Sequence, residues 1–266
     1  MRPIAILFAI TLLAAPGFAL AGPRVVSLDQ CADQYVLALG DRAAIAGLSM
    51  RADDADAYLR AEAAGLPRRR ATLEAVLAAR PQVVVRYWGG SPTLLTALER
   101  RGIKVVTIGE ATDFDGVRAS VRDVAAALDA GPKGEALIGR MDAKLAAARG
   151  AWRGAPALYM SSGGATTGPG TMMDAMLRAA GLSNVTRAPG YTMLRLEQVA
   201  RMRPTALVLG FFDAMTNALQ HWGMGRHRIL QGLMRDRAIA ALPASVLTCP
   251  AWFAADGAET LARAAP

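Results

Sequence analysis

The sequence predicts an α/β protein of two lobes, each a mainly parallel sheet flanked by helices, joined by a long connecting helix, with a cleft between them. Three observations predict this. First, one phrase occurs twice. TLEAVLAARPQVVV (Thr72 to Val85) and RLEQVARMRPTALVL (Arg195 to Leu209) share a Leu-Glu step, a short apolar helix pattern, Arg-Pro and an apolar run. Leu73, Glu74, Val76, Arg80 and Pro81 fall in register with Leu196, Glu197, Val199, Arg203 and Pro204. A solenoid needs at least three repeats to bury its core, so two copies mark two similar lobes. Second, strand and helix patterns alternate through short connections around each copy, which argues for parallel sheets. Third, Asp113 to Arg149 breaks the alternation with helical spacing throughout.

Taken in order, Arg24 to Leu28 reads as a β-branched strand, and Asp29 is an N-cap for a helix that Gly40 ends. Ile45 to Leu48 is a second strand. Residues 51–70 are polar and Ala-rich, and read as a surface helix and loop. Thr72 caps the helix of the first repeated unit, Arg80-Pro81 stops it, and Val83-Val84-Val85 is apolar enough for a buried parallel strand. Ser91-Pro92 opens a helix through Leu98, and Lys104 to Ile108 is a strand. Val117, Val121, Val124 and Leu128 then share one helical face, Gly131-Pro132 interrupts, and Leu137, Ile138, Met141 and Leu145 share another. The second piece would reach on the order of 25 Å, enough to cross from lobe to lobe. Ala157 to Met160 is a strand, Ser161 to Gly170 a flexible Gly-rich loop, and Met172 to Ala180 a helix. The second unit ends in the strand Ala206 to Leu209. A helical stretch with Asn217, His221 and Trp222 follows, then a last strand, Ser245 to Thr248, and a closing helix, Gly257 to Arg263. This divides the chain into a leader (1–21), an N-terminal lobe (22–112), connecting helices (113–150) and a C-terminal lobe (151–266).

The leader reading rests on Arg2, the apolar core Ile4 to Leu13, the break at Pro16-Gly17 and the small-x-small step Ala19-Leu20-Ala21. These are the marks of a cleavable export signal, so the mature protein is expected to be exported. No stretch resembles the roughly 20 apolar residues of a spanning helix. The net charge is +8, but the basic residues are dispersed apart from Arg68-Arg69-Arg70, and no nucleic-acid motif accompanies them, so a nucleic-acid partner is not expected. Cys31 and Cys249 are the two cysteines. Export permits a disulfide between them; two buried thiols or a soft-metal pair are the alternatives.

Ligands of open parallel sheets bind at the carboxyl ends of the strands. Those ends carry Ser27, Asp29 and Gln30; Tyr87, Trp88 and Gly89; Ser161 and Thr166; Phe211 and Phe212; and Trp252, with Trp222 nearby. Rigid aromatic faces flanked by small residues suit a large, flat or greasy ligand. The Gly-rich loop lacks the spacing of a phosphate loop. The only histidines are His221 and His227, which do not supply a bare-metal site drawn from both lobes. No nucleophile elbow or catalytic triad order is present, so no enzyme is expected. An exported enzyme using the same cleft is the alternative from another class. Glu74 and Glu197 lie in the first turns of the repeated helices. They complement the helix dipoles, or they meet two basic sites on one partner.

The signal, the opening RVVSLDQCADQYVLALG, the paired LE-x-V-x-x-x-RP units, the connecting helix and the closing VLTCPAWF together resemble the helical-backbone periplasmic substrate-binding proteins. These serve ABC importers of ferric siderophores, haem and vitamin B12. The resemblance implies a monomer that holds a cobalt- or iron-containing chelate in the interlobe cleft, has no cofactor of its own, and docks on its permease through Glu74 and Glu197. It also implies pocket aromatics at Tyr87, Trp88 and Trp252. Without an Arg cluster at the strand ends, a corrinoid or neutral chelate is preferred. A haem or free-metal receptor is the alternative, with Tyr87 as an axial ligand.

Overall fold

The computed structural model describes residues 22–213 and 228–266. Residues 1–21, expected to be an export signal, and the stretch holding His221, Trp222 and His227 lie outside the described residues.

Two four-stranded parallel sheets carry the fold. The first has the order β2-β1-β3-β4, from β1 (Val25–Ser27), β2 (Ile45–Gly47), β3 (Val83–Arg86) and β4 (Lys104–Thr107). The second has the order β10-β9-β5-β7, from β5 (Pro156–Ser161), β7 (Ser183–Asn184), β9 (Ala206–Gly210) and β10 (Ala238–Leu242). A short antiparallel ribbon pairs β6 (Ala165–Thr167) with β8 (Tyr191–Met193). Valines take the first two positions of β1 and the first three of β3, all buried, as strands covered on both faces require.

The repeated units fold alike. Helix α2 (Leu73–Ala78) precedes β3, and α7 (Leu196–Met202) precedes β9. Thr72 caps α2, accepting from the Ala75 amide, whereas Arg195 gives α7 no side-chain cap. Each unit turns out of its helix on the arginine before proline: Arg80 has φ 47° and Arg203 φ 42°. That left-handed conformation ends the helix, and proline bars its continuation.

Between the sheets run α4 (Phe114–Ala127), capped by Asp113, and the 18-residue α5 (Gly131–Ala148). At 1.5 Å per residue α5 is about 27 Å long. It packs against α4 on one side and α10 (Ala254–Arg263) on the other. Leu137, Ile138 and Met141 of α5 belong to a single apolar core that runs from Val25 and Val85 of the first sheet to Ala157, Tyr159 and Val208 of the second. The lobes are therefore fused through a common core.

A covalent link reinforces that junction. Cys31, at the start of α1 (Gln30–Leu39), forms a disulfide with Cys249, which follows α9 (Ala244–Leu247); the Cα atoms are 5.5 Å apart. Beside it the Tyr35 hydroxyl donates to the Pro250 carbonyl at 3.1 Å.

Three expectations are corrected. Residues 51–70 form turns rather than a helix. Their small side chains Ala52, Ala57 and Ala63 are buried, and Tyr58 stacks on Phe253 with ring centroids 4.3 Å apart while donating to Asp256. The segment is thus a strap from one lobe to the other, shaped by tertiary contacts that leave no periodicity. The Gly-rich loop contains β6, whose partner β8 is some 25 residues away and gives no local signal. Ser245 to Thr248 is not a strand: Pro243 starts the short helix α9 there. The edge strand is instead β10, which follows α8 (Arg228–Arg237) and whose alanine-rich run lacks β-branched emphasis.

Candidate ligand cleft

A cleft of 260 Å³ opens between the two sheets. One wall comes from Tyr87 after β3 and from Glu110, Ala111 and Thr112 after β4. The other comes from Tyr159 of β5, Thr167 of β6, Tyr191 of β8, Phe211 after β9 and the first turns of α6 (Met172–Ala179), with Met172, Met173 and Met176. Val246 to Pro250, including the disulfide's Cys249, complete it. The site therefore lies beyond the carboxyl ends of the parallel strands, where open α/β sheets bind ligands.

Asp29 builds the first wall without facing it. The side chain is 1% exposed. One carboxylate oxygen accepts from the Ala32 amide at 2.9 Å and caps α1. The other accepts from the amides of Tyr87 (2.7 Å), Trp88 (3.2 Å) and Gly89 (2.8 Å). Gly89 permits this approach, because a Cβ there would lie 2.5 Å from the Leu28 carbonyl oxygen. Arg86 Nε closes the turn on the Gly89 carbonyl at 2.6 Å. The loop is thus rigid before any ligand arrives, and it presents the Tyr87 ring to the cleft.

The Tyr87 hydroxyl donates to Glu110 Oε2. Burial, and then the hydrogen bond to Glu110, push the Tyr87 phenol well above its ordinary pKa, so it is a donor at neutral pH. Burial does the same for the Tyr159 phenol opposite. The rest of the lining mixes threonines, Thr112, Thr167, Thr171 and Thr248, with three methionines on α6, which adapt to irregular shapes, and Phe211, held at φ 63° as β9 ends. No group of three or more His, Cys, Asp and Glu among the described residues is placed to hold a metal ion.

Of the residues expected at the site, Tyr87 and Phe211 line the cleft. Several stand elsewhere in the structure. Ser27 donates to the buried Asp33; Asp29 is the anchor just described; Gln30 donates to Asp56 at 2.8 Å. Trp88 is 54% exposed and lies outside the lining. Gly89 serves through its amide. Ser161 Oγ accepts from the Ala165 amide at 3.0 Å, holding the turn into β6. Thr166 points the other way from Thr167 and bonds Thr186 at 3.0 Å. Phe212 packs against the apolar cluster of Leu158, Met160 and Leu207. Trp252 is buried edge-on against Tyr35, 5.2 Å between centroids, and borders a separate cavity with Tyr58 and Met141. Trp222 lies outside the described residues. Strand alternation and helix packing decide these outcomes, since neighbouring residues at a strand end face opposite ways.

Sequence reasoning missed Glu110, Tyr159, Tyr191 and the α6 methionines. Glu110 was within reach, because it follows β4 as Tyr87 follows β3. Tyr191 reaches the cleft only through the pairing of β8 with β6. Glu74 and Glu197 are exposed in the first turns of α2 and α7, outside the cleft.

Two fused α/β lobes with a preformed cleft at their strand ends define a solute-binding architecture, and comparison with known proteins agrees. Residues 25–245 match the periplasmic binding protein family. The chain belongs to that family. A "Cobalamin-binding protein" of Halobacterium salinarum is 29% identical over 210 residues, 74% of this chain. The match spans 57% of that relative's length. Among solved structures, the periplasmic heme-binding protein BhuT in complex with two hemes aligns at 25% identity and TM-score 0.69. It covers 92% of this chain and 99% of that one. The periplasmic vitamin B12 binding protein BtuF of Vibrio cholerae shares the fold at 18% identity and TM-score 0.62, over 91% and 96% of the two chains.

Proposed function

We propose that this protein captures a metal chelate, a corrinoid, haem or ferric siderophore, in the interlobe cleft and delivers it to the permease of an ABC importer. The observation that carries the proposal is the lining: Tyr87, Tyr159 and Phe211 with three methionines, between two lobes, and no bare-metal ligand set among the described residues. Such a wall suits a metal that arrives already caged in a flat or greasy organic ligand. The chelates named for the cobalamin and haem relatives support the choice of ligand class. The cleft volume is near the lower end of small-molecule sites, roughly 300–1,000 Å³, so a ligand of that size would stand partly out of it, where a permease can take it over.

In this reading the protein is a monomer of the periplasm, exported by residues 1–21, and it binds without catalysis. Glu74 and Glu197 are the docking carboxylates, exposed at equivalent points of the two repeated units. The test is a titration of the mature protein with cyanocobalamin, haemin and a ferric hydroxamate, followed by tryptophan fluorescence and visible absorption. Saturable binding of one of them at micromolar concentration or below is expected, weakened by Phe211→Ala. Binding of none refutes the proposal. The double variant Glu74→Ala/Glu197→Ala keeps ligand affinity and loses uptake; a loss of affinity would place those carboxylates in the site.

A further inference from the structure

We propose that Glu110 sets the charge class of the ligand, so that the cleft accepts a chelate with a neutral or cationic periphery bearing hydrogen-bond donors and discriminates against an anionic one. This rests on the chelate reading above and narrows it.

The protein carries a net charge of +8, yet no Arg or Lys lines the cleft among the described residues. Glu110 is the one described lining residue with a formal charge. Its Oε2 accepts from Tyr87, and its Oε1 has no donor among the described residues. That oxygen is available to a ligand amide or ammonium. The positive end of α6 on the facing wall is itself partly neutralised. The Asp174 amide there is taken by Thr171 Oγ1 at 3.2 Å, and the Asp174 carboxylate already complements the helix dipole from the first turn. A ligand carboxylate brought into this cleft would therefore meet a like charge and no cation. Glu110 is exposed in the open cleft, and a like-charge contact that a bound ligand would cover discriminates between partners. Here we expect on the order of tenfold or more, the scale of one charge pair in a partly solvated gap.

The experiment uses matched probes that differ in charge and share a metal and skeleton: cyanocobalamin and its hydrolysed carboxylate derivatives; haemin dimethyl ester and haemin; ferrioxamine B and its succinylated form. For whichever skeleton binds, the neutral or cationic member is expected to bind at least tenfold tighter to the wild type. Glu110→Gln should shrink that ratio to within about threefold. Tyr87→Phe, which removes the hydrogen bond and keeps the carboxylate, should preserve the ratio whatever it does to affinity. Equal or tighter binding of the anionic member to the wild type overturns the inference and leaves the chelate reading standing. Survival of the ratio in Glu110→Gln overturns it likewise. Failure of every skeleton to bind refutes the chelate reading, and this inference with it.

Discussion

Replacing Asp29 with alanine removes one buried acceptor from four backbone amides, and the consequences are separable. Loss of the α1 cap costs about 1 kcal/mol. The amides of Tyr87 and Gly89 make the two short bonds to the other oxygen, and hydrogen bonds to a charged group contribute about 1.5 kcal/mol each at the low end. Tyr87 is half-buried, so water can resatisfy part of that loop. The expected loss is about 3 kcal/mol, with the Trp88 bond at 3.2 Å left out. Asp29→Asn keeps one carbonyl oxygen and can serve the cap or the loop but not both, so it should lose roughly half as much. Urea unfolding followed by far-ultraviolet circular dichroism reads the shift in midpoint at constant slope. The alanine variant should also bind the proposed chelate more weakly, because Tyr87 must be ordered during binding. A loss under about 1 kcal/mol, or unchanged affinity alongside a full loss of stability, would refute the claim that this carboxylate organises the cleft wall.

Three further outcomes follow from the same geometry. Asp33 is fully buried and accepts from Ser27 and Ser49, yet burial outweighs those bonds and raises its pKa from 3.8 to about 6. The folded state then holds that proton more tightly than the unfolded chain, so the stabilisation is complete below pH 4 and is lost as pH rises through about 6. Asp33→Asn should remove this slope, gaining up to about 3 kcal/mol relative to wild type between pH 4 and pH 7; parallel urea curves at the two pH values decide it. The Cys31–Cys249 bond closes a 218-residue loop; replacing both with serine should cost up to about 5 kcal/mol in the chain-entropy picture, and a thiol assay on the unreduced native protein should find none. Gly168→Ala would set a Cβ 1.9 Å from the Ala188 carbonyl oxygen beside the cleft; a loss of about 1–3 kcal/mol, read as a lower melting temperature, is expected.

Most of the architecture was legible because it is local. The duplicated Leu-Glu and Arg-Pro steps, the valine-rich strands and the caps at Asp29, Thr72 and Ser91 act within one or two turns of chain, and the structure has them where the pattern puts them. The helix interruption at Gly131-Pro132 is equally local. What failed to read was cooperative. The 51–70 strap takes its shape from Phe253 and Asp256, nearly 200 residues away. β10 is a strand because β9 offers it an edge, against the propensity of an alanine-rich run.

The site divides in the same way. Sequence by itself determined that two lobes would present strand ends carrying aromatics, since strand order within each unit and the rule for parallel sheets require it. Only the tertiary structure decided which side chains face the cleft. It turned Asp29 inward as an anchor, buried Trp252 against Tyr35, left Trp88 outside the lining, and brought Glu110, after β4, into one cleft with Tyr191 of the β6–β8 ribbon and Met172 of α6. A strand end fixes where a residue stands; the direction it faces depends on pleat, register and the packing of the second lobe, which no local pattern encodes.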